Sequence, residues 1–265
     1  MKNPLLQQIF TVAALTCTSV TRLAHGEVPV APGAGLPKHE KLTAALKQVV
    51  TAGDNGGFGL NMWATIVNRD GIVTAVTFSG TNRGDQWPGS RVISAQKANS
   101  ANAFSLKALA LSTANLYSAT QPGGSLFGLQ ASNPVATGVA YKGPATKFGL
   151  VNDPMVNKAI GGINVFGGGL ALYNKEGELV GALGVSGDSS VADHIIAWKV
   201  RHALNRDNVP GGVSPTGDDN IVLDIAPDAN GHPVSASGWG HPKTTDAAAA
   251  IANALPTTHP VGPNL

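Results

Sequence analysis

The chain has 265 residues, 43% hydrophobic and only 13% charged, with 18 basic residues against 16 acidic ones and a single cysteine. That length and apolar content suffice for one good-sized core plus extensions. The near-balance of charge excludes a basic face for nucleic acid or anionic lipid, and one cysteine excludes a disulfide framework.

Lys2, the apolar run Ile9 to Leu15 and the small residues Ala24 and Gly26 form the pattern of a secretory signal peptide over residues 1–26, cut before Glu27. The threonines in the run leave it too short and broken to span a membrane. Cleavage there would remove Lys2, Arg22 and Cys17, leaving 16 basic residues against 16 acidic ones. The expected location is therefore periplasmic or extracellular. Residues 27–38, EVPVAPGAGLPK, read as an irregular leader.

Leu42, Ala45, Leu46, Val49 and Val50 recur at helical spacing, which predicts a helix over His39 to Ala52 stopped by Gly53. Leu60 to Val67 and Ile72 to Phe78 read as strands joined at Asn68-Arg69-Asp70-Gly71, a hairpin signal. Thr81 to Gly89 is a polar loop containing Trp87. Arg91 to Tyr117 has no Gly or Pro and many alanines, so a long helix is expected, or two bent near Phe104. Residues 125–161 disclose only loops and short elements.

Leu170 to Tyr173 and Leu179 to Val185 form a second hairpin, and Val191 to Leu204 returns to helical spacing. Further on, Ile221 to Ile225 reads as a strand, Thr245 to Leu255 as a short helix and Thr257 to Leu265 as a tail. The element order gives an α+β fold with a central antiparallel sheet flanked by helices. Low charge with 33 glycines points towards tight turns or self-association, hence a homo-oligomer.

Within the second hairpin's exit, GVSGD differs by one residue from the G-x-S-x-G elbow of many hydrolases, with Asp188 where the second glycine belongs. Gly184 and Gly187 suit close backbone packing, and Ser186 or Asp188 suits a helix cap. For a metal, the histidines beyond residue 26 are His39, His194, His202, His232, His241 and His259. None forms a tight metal-ligating pair, and a structural zinc site lacks cysteines. Trp63, Trp198 and Trp239 suit a core or an interface, whereas Trp87 in a polar loop suits a ligand contact.

The segment Gly168 to Ala197, GGLALYNKEGELVGALGVSGDSSVADHIIA, resembles the signature of the GlcG/HbpS family, which includes the C-terminal domain of PduO proteins. Upstream, WATIVNRDGIVTAV and the A-x-K-A-x-x-A-x-x-F pattern of Ala95, Lys97, Ala98, Ala101 and Phe104 agree in order. The resemblance covers residues 39–206 and leaves 207–265 as a C-terminal extension of a single domain. It departs from the shorter members in residues 80–161, in that extension, and in His194, where many members carry an acid.

The resemblance implies an exported haem-binding protein, or one for a similar flat anionic ligand, acting in haem capture or redox sensing with a sensor protein as partner. Haem is thus the candidate cofactor. Iron needs an axial donor, for which His39, His194 and His241 are the candidates. Arg91 and Lys97 would meet a carboxylate, the alanine-rich helix would wall the ring, and Trp87, Ser186, Gly187 and Asp193 would line the site. Two other readings stay open: a small-molecule enzyme using the Lys97, Ser186 and Asp193 neighbourhood, and a structural or signalling partner without a ligand.

Overall fold

A computed structural model describes residues 35–262; the signal-peptide pattern and residues 27–34 of the leader lie outside them. Helix α1 (His39–Ala52) buries Leu42, Ala45, Leu46 and Val49 and ends where Gly53 turns to φ 71°. Strands β1 (Trp63–Asn68) and β2 (Val73–Phe78) pair antiparallel, from Trp63 opposite Phe78 onward. Their turn is closed by Asn68, whose Oδ1 accepts from the Asp70 and Ile72 amides at 3.0 and 2.9 Å, and only Gly71 takes positive φ.

Helix α2 (Ser90–Phe104) is followed by residues 125–161, which hold the four-residue helices α3 (Leu129–Ser132) and α4 (Thr137–Ala140). Strands β3 (Gly169–Tyr173) and β4 (Leu179–Ser186) form the second hairpin, and β4 also pairs antiparallel with β1. The sheet order is β2-β1-β4-β3. Helix α5 (Ser190–Ala203) follows, then the short pair β5 (Ile225–Pro227) and β6 (Pro233–Ser235), and finally α6 (Asp246–Thr258).

Alternation along the strands sends Ala64, Ile66, Leu183 and Val185 to one face, where α1 and α5 cover them and α6 packs on α5. Trp63, Val67, Val76 and Ala182 point to the other, against Val92, Ala95, Ala98 and Ala101 of α2. The architecture is α+β, an antiparallel sheet between two helical layers. Gly184 makes the second contact tight, because a Cβ there would lie 1.9 Å from the Ser94 carbonyl oxygen and 2.5 Å from the Ala98 amide nitrogen.

Three expectations are corrected. Of the long helix over Arg91 to Tyr117, or two bent near Phe104, the first part stops at Phe104 and the chain up to Tyr117 is helical again only in a 3-10 turn at Thr113–Leu116. Tertiary bonds override propensity there: Leu106 and Leu109 pair with each other, Tyr173 Oη donates to Leu106 O at 2.7 Å, and the Ala110 amide donates to Gly211 O at 2.8 Å. The strand expected over Ile221 to Ile225 is instead an irregular crossing buried at Ile221 and Val222, with Val222 making one bridge to Gly240 and regular pairing only from Ile225. The last helix runs on through Pro256 to Thr258, shortening the expected tail.

Candidate functional site

The candidate residues fall into two groups. The first surrounds the start of α5. Asp193 Oδ2 accepts from Lys97 Nζ at 2.6 Å, and its Oδ1 accepts from the Gly187 and Asp188 amides at 3.1 and 2.9 Å. Lys97 also donates to Val185 O at 3.2 Å, and both partners of the pair are buried. Burial pushes the Asp193 carboxyl up to about 6, with Lys97 and the Asp188 amide pulling the other way. Ser186, the last residue of β4, is buried opposite Trp63.

The helix cap falls elsewhere than expected. Ser189 caps α5 by accepting from the Ala192 amide, whereas Asp188 receives the Phe58 and Leu60 amides at 2.9 and 3.1 Å. Asp188 thus pins the glycine-rich approach to β1, and Ser186 caps nothing.

His241 arrives from the C-terminal extension. Its Nε2 lies 2.8 Å from Ser190 Oγ, its Nδ1 donates to Pro242 O at 2.8 Å, and the Tyr117 ring lies 5.0 Å away. Ser190 Oγ in turn accepts from the Gly167 amide at 2.7 Å. The ring is 2% exposed, and burial lowers its pKa to about 4. His194 is 0% exposed; its Nε2 accepts from the Ile221 amide at 3.1 Å and lies 3.1 Å from Asn220 Oδ1, and Nδ1 has no hydrogen-bond partner. Burial, reinforced by the nearby Arg201, lowers its pKa to about 3.

The second group lies across the sheet, at the β2 edge. His39 Nε2 donates to Gly149 O at 2.9 Å, and the residue is half-buried. The Gly149 amide donates to Asp153 Oδ2 at 2.7 Å, and the same carboxylate takes Arg91 bidentately. The Arg91 guanidinium stacks 3.7 Å above the Phe148 ring and donates to Ala140 O at 2.9 Å. Gly149 has φ 78° and no room for a Cβ, which would sit 2.3 Å from Phe78. Trp63 Nε1 donates to Trp87 O at 3.1 Å, and the Trp87 side chain is 53% exposed.

The structure thus brings Lys97, Asp193, Gly187, Ser186 and His241 to one end of the sheet, and His39 and Arg91 to the loop 148–153. Arg91 and Lys97, expected to meet a ligand carboxylate, each neutralise a buried aspartate instead. The alanines expected to wall a ring pack on the sheet. Sequence reasoning missed Asp153, although it is the only acid between Asp85 and Glu176 and so the local partner for a buried Arg91. Among the described residues no cluster of three or more His, Cys, Asp or Glu could hold a metal ion, and no helix is long and apolar enough to cross a membrane.

A domain with two helical layers locked around the end of a four-stranded antiparallel sheet defines the structural class. The chain belongs to the family described as haem degrading protein HbpS-like, whose model matches residues 38–201. No curated protein matches it. Among solved structures it is similar to a PduOC complex with haem, at 25% identity over 63% of this chain and 91% of that one, with a TM-score of 0.43. It is also similar to the protein ORFY of Klebsiella pneumoniae (23% identity, 62% and 86% covered, TM-score 0.42). The third is HbpS, at 17% identity with 66% and 98% covered and a TM-score of 0.37. With superpositions this loose, the family assignment rests on the sequence match.

Proposed function

We propose that the protein binds haem, with His39 as the iron ligand. The carrying observation is that His39 is the one candidate histidine that both lies inside the family-matched segment and is not buried. His241 lies beyond residue 201, and both it and His194 are sealed in the core. The bond to Gly149 O fixes His39 as the Nε2–H tautomer and leaves the Nδ1 lone pair for a metal, the usual way an outer-shell carbonyl prepares a ligating imidazole. Exposed Leu150 and Val151, next to Gly149, supply an apolar flank, and exposed Trp87 belongs to the same side of the sheet. Haem supplies an iron centre there; this chain supplies the donor nitrogen, its orientation and the apolar surface beside it.

Catalysis at Lys97, Ser186 and Asp193 finds less support, because all three are buried and the two charges are spent on each other. The signal-peptide pattern supports an exported role, in haem capture or in sensing through a partner. Exposed Phe58, Phe127 and Tyr141 support a homo-oligomer.

Hemin titration into the protein should give a saturable Soret band that His39→Ala abolishes or shifts, while His241→Ala retains it. No saturable band would end the haem proposal, and a band unchanged in His39→Ala would remove His39 from it.

A further inference from the structure

Residues 125–161 carry Lys142, Lys147 and Lys158 but one acid, Asp153. The three lysines line a single cavity of about 310 Å³ between α4 and residues 152–158, together with Asn152, Pro144 and Pro154. All three are exposed, and none makes an ion pair with a described residue. The acid is unavailable to them, since both Asp153 oxygens are taken by Arg91 and by the Gly149 and Met155 amides.

The backbone beneath the lysines is fixed. The Lys142 amide donates to Val139 O, that of Lys147 to Pro144 O and that of Lys158 to Met155 O, while Lys158 O accepts from Val73 N of the sheet edge. The three lysines therefore border one concavity and have no ion-pair partner among the described residues, which makes the field there positive. We propose that this cavity is a binding site for a small oxyanion carrying two or more negative charges, of the polycarboxylate or polyphosphate class. Its volume sits at the low end for ligand sites, about 300–1,000 Å³, which fits such an anion. A duplex or a bilayer would need a flat basic face, and the chain as a whole is close to neutral at 18 basic to 16 acidic residues. Asn152 adds a side-chain amide that can donate to one oxygen.

The site is independent of the haem proposal, and its test uses the full chain without haem. Inorganic pyrophosphate and citrate are titrated separately at low salt by isothermal calorimetry. One saturable site is expected for at least one of them; saturation by pyrophosphate alone assigns the phosphate class and by citrate alone the carboxylate class. Each of Lys142→Gln, Lys147→Gln and Lys158→Gln should weaken binding by about tenfold or more, the scale of one charge-assisted hydrogen bond. The side chains are exposed, so the variants should match the parent in circular dichroism and melting temperature. Lys175→Gln, in the β3–β4 turn, should bind like the parent. The proposal is overturned by the absence of saturable heat with both anions, by unweakened lysine variants, or by an equal loss in Lys175→Gln.

Discussion

Lys97 of α2 and Asp193 of α5 meet at 2.6 Å although their helices lie on opposite faces of the sheet. The link passes the start of β3, where Gly168, at φ 114°, leaves the space: a Cβ there would lie 3.2 Å from Lys97 Nζ and 2.4 Å from Val185 O. Removing one partner strands the other charge in the core. Lys97→Met or Asp193→Asn should each cost about 3–5 kcal/mol in urea denaturation, and the double variant should recover part of that. Losses that simply add would show that the two charges are not coupled.

Close approach of α2 to the sheet makes Gly184 intolerant of a side chain. Gly184→Ala should destabilise by about 1–3 kcal/mol through overpacking, read from the melting temperature. Gly89→Ala is the control: φ is −64° and nothing lies within 4 Å of the added Cβ, so stability should hold or rise slightly. A tolerated Gly184→Ala would contradict the helix–sheet spacing.

Acid should weaken the fold. His194 and His241, with folded values of about 3 and about 4, refuse protons that the unfolded chain takes up from the ordinary value of 6.5 downward. Each therefore contributes stability above pH 6.5 that is lost as pH falls through its folded value, by at most about 1.4 kcal/mol per pH unit. Asp193 acts in the opposite sense. Its carboxyl, at about 6 when folded and 3.8 when unfolded, adds stability as pH falls between those values. Two groups against one leave a net loss from pH 6.5 to 4. Urea midpoints across that range should fall with pH, and His194→Gln should flatten the slope; an unaltered slope would mean His194 is not protonated on unfolding.

Trp198 Nε1 donates to His259 O at 2.8 Å, joining α5 to the residue after α6. Trp198→Phe keeps most of the buried ring but leaves that carbonyl unmatched, so a loss of about 1–3 kcal/mol is expected in urea denaturation. An unchanged midpoint would show that solvent satisfies the carbonyl.

The regular elements were legible because their signals are local. Leu42 to Val50 repeat at helical spacing, and Gly53 and Gly71 sit where the backbone needs positive φ. The end of α2 at Phe104 was not legible, since Tyr173 and Gly211, distant in sequence, hold the chain after it. Site candidates failed at the same level: a sequence shows that Arg91 and Lys97 are cations, but not that Asp153 and Asp193 already face them. Arg201 is the sharpest case. The sequence shows it only as a cation, yet it is wholly buried, and Asp219 holds it through bonds of 2.6 and 2.8 Å.

That pair sets where the protein can be cut. Asp219 comes from beyond the family-matched segment, as do Ala248, Ala252 and Leu255, which pack in the same core as Ile195 and Trp198. A fragment ending near residue 201 would carry an unneutralised guanidinium and an uncovered apolar helix face. The stretch shared with relatives and the stretch able to stand alone are therefore different lengths of chain, and expression boundaries belong after α6.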